Sequence, residues 1–450
     1  MRIDNEKKVF YRNVFALVIP MALQNLINVG VTSADVIMLG RVGETALSAS
    51  SLGGQVYFIL NLIIFGLTSG AAVITAQYWG KGDVRTIEKV LGIALRVALF
   101  VSILFTLAAW IIPRPLMRLF TNEEEVIAQG ISYLRVIAFS YVLACLTMTY
   151  LNIMRSVERV LIATVVYSVS LLVNVVLNAV FIFGMFGVPA MGVAGAALGT
   201  VCARVVEFCI VVYYARKKND TVRFRMKDLF VKDKLLNADF RRYAFPVLLN
   251  ELAWGLGMAT ITAIIGHLGS SAVAANSVTQ VSRQLAMVVS FGVAGATAIM
   301  LGKAIGEGKE EQAKVYAGRF VRLSLILGLC AAAVILCVSP IARHFLVLSD
   351  EASEYLRYMM YVMAYFCVGQ SLNTTLVVGV FRAGGDTRFG LALDLSAMWG
   401  GAIFLGALAA FVFDLPVPWV YVFLVSDEIL KLPFSFKRYF SYKWLKNITR

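Results

Sequence analysis

Charge is what this chain has little of. Only 15% of its 450 residues are Asp, Glu, Lys or Arg, against 60% hydrophobic, and the mean hydropathy is +0.79. A soluble domain is nearer a quarter charged and half apolar, so a soluble enzyme is excluded and an integral membrane protein is implied. Histidine is almost missing: His267 and His344 fall at predicted outer ends of apolar runs, isolated from each other and from other ligand types, so no metal site is expected. The six cysteines (Cys145, Cys202, Cys209, Cys330, Cys337, Cys367) all lie inside apolar runs with no C-x-x-C spacing. They read as small buried hydrophobes, neither disulfides nor ligands. The sequence holds no G-x-x-x-x-G-K-S/T, no H-E-x-x-H and no Ser/His/Asp or Cys/His set, and the GGDT at 384–387 is a turn with no strand before it. No nucleotide, other cofactor or catalytic centre is therefore expected. A net charge of +14 suggests nucleic acid at first sight, but the basic residues sit between apolar runs and form no stripe, so no nucleic-acid partner is expected.

Long apolar runs are what is there. They place spans at 11–39, 46–79, 88–112, 127–152, 160–184, 191–215, 240–266, 272–304, 312–338, 353–380, 387–411 and 417–436, each long enough for a helix to cross a bilayer. Lys and Arg in the connections fall about thirty on one side against about four on the other, which puts both termini in the cytoplasm of an inner-membrane, multi-pass protein. The first apolar run continues too far for a signal-peptide core and no small-residue cleavage site follows, so the N-terminus is expected to be retained. The one long hydrophilic connection, 216–242, reads as a solvated linker at the cytoplasmic surface; its Lys/Arg excess also suits anionic lipid.

The chain repeats itself at an offset of 226 residues. Pro20 falls on Pro246, Gly40 on Gly266, Gly43 on Gly269, Phe65-Gly66 on Phe291-Gly292, and Gly80-x-Gly82 on Gly306-x-Gly308. A fixed period of this kind marks two copies of one unit. The expected fold class is all-α: twelve transmembrane helices in two pseudo-symmetric six-helix bundles. Residues 1–215 form the N-terminal bundle, 216–239 the cytoplasmic linker, and 240–450 the C-terminal bundle with its tail. An even number of spans in each half gives both the same orientation, which is a transporter plan with the path between the halves.

A charge in the bilayer costs at least about 2.5–3.5 kcal/mol, so each ionisable residue in a span requires a reason. Asp35 sits about one turn before the outer end of the first span, either facing the interior to bind a cation or proton, or reaching out to the interface. Asn174 and Asn178 are four apart and share one face of the fifth span; they are either helix-helix glue or neutral oxygen donors, with Asn152 and Thr200 able to join them. Glu251 lies near mid-membrane in the seventh span, where reaching water is hard. Its repeat partner is Asn25, so symmetry does not explain it. Glu428 with Lys431 and Glu207 with Arg204 are three apart and read as neutralising pairs, while Asp394 has no such neighbour. The spacing of Gly192, Gly195 and Gly199 in the sixth span predicts close helix packing. Tyr57, Trp254, Met258 and Met363 are candidates for a greasy, adaptable cavity, or for core packing.

The stretches PMALQNLINVGVTSADVIMLGRVG and GLTSGAAVITAQYWGKGD in the first half, GVAGATAIMLGKAIGEGK in the second, and FRAGGDTR after the tenth span are similar to those of the multidrug and toxic compound extrusion (MATE) transporters, over essentially the whole chain. The resemblance implies two six-helix bundles around a cavity alternately open to either side. It implies export of drug-like, often cationic, small organic molecules driven by inward Na+ or H+, with no cofactor and no enzymatic step, by a monomer in the lipid bilayer. Asp35 matches the family's first-span acid in the N-terminal cation site, with Asn174, Asn178, Asn152 and Thr200 as its partners. Glu251 matches a seventh-span acid that one branch pairs with a tenth-span Asp; here that stretch has no carboxylate and offers Gln370, Ser371 and Asn373, so the candidate C-terminal site is Glu251, Gln370 and Asn373. The alternative within transport is a flippase for lipid-linked precursors, which needs a strongly cationic cavity; Arg96, Arg204 and Arg283 are the few candidates. An intramembrane enzyme needs a nucleophile or metal set that the spans do not carry.

Overall fold

The computed structural model describes residues 2–345 and 348–450, and among these there is no strand. The long helices are α1 (Arg2–Val42), α2 (Glu44–Lys81), α3 (Val84–Ile111), α4 (Glu124–Ser156), α5 (Leu161–Phe183), α6 (Gly192–Lys218), α7 (Lys234–His267), α8 (Ser270–Gly306), α9 (Glu310–His344), α10 (Asp350–Phe381) and α11 (Thr387–Phe411). These eleven are long and apolar enough to cross a membrane. The twelfth expected span, 417–436, is broken into α12 (Val417–Leu424) and α13 (Asp427–Phe440), parted at Val425 and Ser426. π-helical turns close α6 (Tyr214–Lys218) and α10 (Thr374–Phe381) and interrupt α11 (Ser396–Ile403).

Two compact units result. An N-terminal unit comprises Leu23–Thr75 and Asp83–Ala244, where α4 packs on α3 and α6, and α5 on α6, around Leu60, Ile64, Leu134 and Tyr141. A C-terminal unit comprises Phe245–Arg450 with the chain up to Ala22 and the turn Ala76–Gly82; there α10 packs on α8 and α9 around Ile335, Leu356, Met360 and Tyr421. The reading of 1–215, 216–239 and 240–450 divides by position along the chain, whereas these units divide by packing. The reason is length: at 41 residues α1 is about 60 Å long, twice the apolar thickness of a bilayer, so its two ends serve different neighbours.

The repeat has a packing meaning inside the C-terminal unit. A Cβ on Gly80 would collide with the Lys303 carbonyl, and one on Gly306, its repeat partner, with the Gln77 carbonyl. Gln77 and Lys303 are themselves repeat partners, as are Ala76 and Gly302, which also touch. The ends of α2 and α8 thus approach through equivalent residues at backbone distance, which only glycine permits. Gly306→Ala should cost about 1–3 kcal/mol and lower the melting temperature. Gly266→Ala, where the added methyl meets nothing within 4 Å, should leave it unchanged or raise it; equal melting of the two variants would refute this account.

The linker is more than solvated chain. Asp228 is 1% exposed and receives Arg85 at 2.6 Å and 3.1 Å, the Arg223 N–H donates to Glu88 Oε1 at 2.9 Å, and Gly92 of α3 lets the Asp228 carbonyl come down onto the helix. Asp233 opens α7: its Oδ1 accepts the Leu236 N–H at 3.0 Å, and this bond together with Lys89 holds its carboxyl below the usual range. Of the cysteines, Cys145 and Cys367 are buried as expected, but Cys209, Cys330 and Cys337 are exposed on outer helix faces. A thiol is apolar enough to face lipid as readily as protein.

Candidate functional site

The N-terminal unit encloses a cavity of about 360 Å³ bounded by α1, α2, α4, α5 and α6. Its wall is unusually polar for a membrane interior. Asn25, Asn28, Asn61, Asn152, Asn174 and Thr200 supply amides and a hydroxyl, and Tyr57, Phe65 and Tyr167 supply rings.

Asp35 stands beside one end of this wall. Its side chain is half-buried and turned onto α5, where its Oδ1 accepts the Asn178 amide at 2.5 Å. Asn178 Nδ2 also donates to Asn174 Oδ1 at 3.2 Å, and Asn174 Nδ2 to Thr200 Oγ1 at 3.2 Å. The 3.6-residue period of α5 stacks the two asparagines on one face, and Thr200 comes from the facing turn of α6. Gly199 makes the approach possible, because a methyl there would overlap Asn178 Oδ1. Gly195 likewise lets α6 rest on the Phe181 carbonyl, the close packing that the glycine spacing predicts.

The result is a chain of oxygens around one carboxylate: Asp35, Asn178, Asn174, Thr200. Asn178 is fully buried, and its Oδ1 has no hydrogen-bond partner among the described residues. A buried acceptor without a donor is costly, and a cation or proton arriving at this site would relieve it. Oxygen donors with a single carboxylate suit a hard cation.

Asn152 lies at the same cavity but outside this chain. Its Nδ2 donates to Thr68 Oγ1 at 2.7 Å and its Oδ1 accepts from Arg155 at 3.1 Å. Arg204 and Glu207 form the close pair expected from their spacing, at 2.8 Å, with the guanidinium 5.9 Å from the Tyr57 ring centroid.

In the C-terminal unit the structure does not bring Glu251, Gln370 and Asn373 together. Glu251 Oε1 is ion-paired with Arg382 at 2.7 Å, the side chains being 14% and 5% exposed. Gln370 Oε1 accepts from Arg283 at 3.2 Å. Asn373 belongs to another group: its Nδ2 donates to Glu428 Oε2 at 2.8 Å and its Oδ1 accepts from Ser435 at 3.0 Å. At the centre of that group is Lys431, whose Nζ lies 3.1 Å from each of Asp394, Asp427 and Glu428. Asp394 Oδ2 also accepts from Asn250 at 2.9 Å. Spacing shows the Glu428–Lys431 and Asp427–Lys431 pairs, three and four apart, but not Asp394, which meets Lys431 from 37 residues away. Among the described residues no three His, Cys, Asp or Glu are grouped so as to hold a metal by themselves.

The MatE family model matches residues 20–180 and again 246–408, two matches that start one repeat apart. The chain is 24% identical to a probable multidrug resistance protein, YoeA, of Bacillus subtilis, over 88% of this chain and 86% of that one. It is 25% identical to the multidrug resistance protein MdtK of Yersinia pseudotuberculosis, over 86% and 85%. A solved MATE structure in the bent conformation superposes with a TM-score of 0.87, and a MOP superfamily transporter from Pyrococcus furiosus with 0.86; each is 20% identical and covers 96% of both chains, a likeness of fold. With a family model covering most of the chain in two repeats, this protein belongs to the MatE family of multidrug and toxic compound extrusion transporters.

Proposed function

We propose that this protein is a secondary active antiporter that exports drug-like organic compounds, often cationic, in exchange for inward Na+ or H+ by alternating access. It acts as a monomer in the cell membrane with both termini cytoplasmic. One observation carries the reading. Asn174 and Thr200 belong at once to the hydrogen-bond chain that ends on Asp35 and to the wall of the 360 Å³ cavity. Whatever neutralises Asp35 must therefore rearrange groups that a bound compound touches. That is the differential contact an exchange requires. Amides and aromatic rings, with few fixed charges, suit varied organic molecules. The relatives' names, multidrug resistance proteins, point the same way.

The flippase reading is weaker, because a pyrophosphate needs several free cations. Arg204 is neutralised by Glu207, which leaves Arg155 as the one lining guanidinium with no carboxylate partner among the described residues.

Dye efflux from proteoliposomes, with Na+ and pH gradients imposed separately, tests the function. One of the two gradients should drive efflux, and efflux indifferent to both would overturn the proposal. In the same vesicles Asn178→Ala should cut the effect of the gradient by about 5- to 150-fold, the usual range of a coupling energy. An unchanged cation dependence would return Asn178 to helix packing.

A further inference from the structure

We propose that Arg155 sets the specificity of the 360 Å³ cavity, and that the exported compound carries one carboxylate, which the Arg155 guanidinium binds. The inference narrows the cargo of the antiport reading and rests on that reading. Three residues of the lining carry a full charge: Arg155, Arg204 and Glu207. Arg204 Nη1 donates to both carboxylate oxygens of Glu207, at 2.8 Å and 2.9 Å, so these two cancel. Asp35 is held by Asn178 beside the cavity and is not part of its lining. One positive charge is left over, and it belongs to Arg155. A wall shaped for a bare organic cation would present an unpaired carboxylate. Among the described residues this wall presents a guanidinium without one.

The side chain is placed to use that charge. Arg155 lies in the last turn of α4, where an arginine that only marked the cytoplasmic side would reach out to water. This one turns in: it lines the cavity, and its Nε is buried with no acceptor among the described residues. Its one acceptor there is neutral, Asn152 Oδ1 at 3.1 Å from Nη1. Asn152 sits one turn back on the same face of α4 and is fixed in turn by its Nδ2 on Thr68 Oγ1 at 2.7 Å. The guanidinium is therefore held without being neutralised, with its carbon 6.0 Å from the centroid of the Tyr167 ring. A buried charge with no opposite charge beside it is costly, and an arriving carboxylate supplies what is missing. Its two oxygens also match the planar fork of the guanidinium, a fit that a lysine or an amide does not offer. Tyr57, Phe65 and Tyr167 give the cavity ring faces for an aromatic body. One guanidinium answers one carboxylate, so the cargo is a small aromatic acid, whatever cationic group it carries elsewhere.

The test reads binding at equilibrium, with no gradient. Dansylglycine is an aromatic acid small enough for this cavity, and dansylglycinamide is the same molecule with its carboxylate made neutral. Each is titrated onto purified protein in non-ionic detergent, and binding is followed by dansyl fluorescence. The native protein should bind the acid more tightly than the amide by about tenfold or more. Arg155→Gln should weaken the acid by about 10- to 150-fold, the range for a hydrogen bond to an ionised group, and leave the amide unchanged. Arg155→Lys, which keeps the charge but loses the fork, should retain part of the preference. If Arg155→Gln does not fold, the native ratio and the Arg155→Lys ratio decide. Equal binding of acid and amide by the native protein overturns the proposal. So does an Arg155→Gln protein that loses both probes alike, which makes Arg155 a packing residue. A preference that vanishes when phosphatidylglycerol is added to the micelles overturns it too, by giving the guanidinium to a lipid headgroup. None of these outcomes touches antiport itself, which stands or falls on gradient-driven efflux.

Discussion

Asp35→Asn should give a protein that folds, inserts and melts like the native one but moves dye no faster under a cation gradient than vesicles without protein. The amide has the carboxylate's shape, and its oxygen can accept from Asn178 as Asp35 does now. What is lost is the charge. A hydrogen bond or ion contact to an ionised group is worth about 1.5–3 kcal/mol, so cation binding at this end of the cavity should weaken by about 10- to 150-fold. The hydrogen-bond chain through Asn178, Asn174 and Thr200 would then have nothing to respond to, and the compound in the cavity would lose its competitor. Asp35→Glu, which keeps the charge but moves it by a methylene, should retain part of the activity. Native-rate efflux by Asp35→Asn, in protein shown to be folded by its melting curve, would remove Asp35 from the mechanism.

Features that repeat or follow a helical period were legible in the sequence. The 226-residue offset located both MatE matches and the glycines at which α2 and α8 meet, because close backbone approach admits no other residue and so leaves a mark at fixed positions. The shared face of Asn174 and Asn178 followed from the helical period, and each is now seen bonded along it. What joins residues far apart in the chain was not legible from local pattern. The contact of Asp35 with Asn178 across 143 residues was expected only from the family resemblance, and nothing pointed to Glu251 meeting Arg382 across 131 or Asp394 meeting Lys431 across 37. Pairing of that kind is decided by which helices pack together, and no local pattern encodes it. The break in the last span escaped for a different reason. Ser426, Asp427 and Glu428 interrupt an otherwise apolar run, and only the carboxylates gathered around Lys431 show why the helix restarts there.

Glu251 was the other acid within a span to attract a functional reading, and its pairing with Arg382 leads to a different expectation. Arg382→Met should destabilise the protein strongly, by about 3–5 kcal/mol, because it leaves the Glu251 carboxylate in α7 with no opposite charge at hand among the described residues. The double variant Glu251→Gln with Arg382→Met should recover most of that loss, since removing both charges removes the penalty of burying either one. Unfolding in mixed detergent measures the three stabilities, and the interaction energy between the two sites is read from the cycle. Efflux then separates stability from coupling. A stabilising ion pair predicts that the double variant still answers the cation gradient that drives the native protein. A coupling carboxylate predicts a folded double variant that does not, and that outcome would move Glu251 from the scaffold to the transport cycle, with Arg382 standing in for the ion when none is bound.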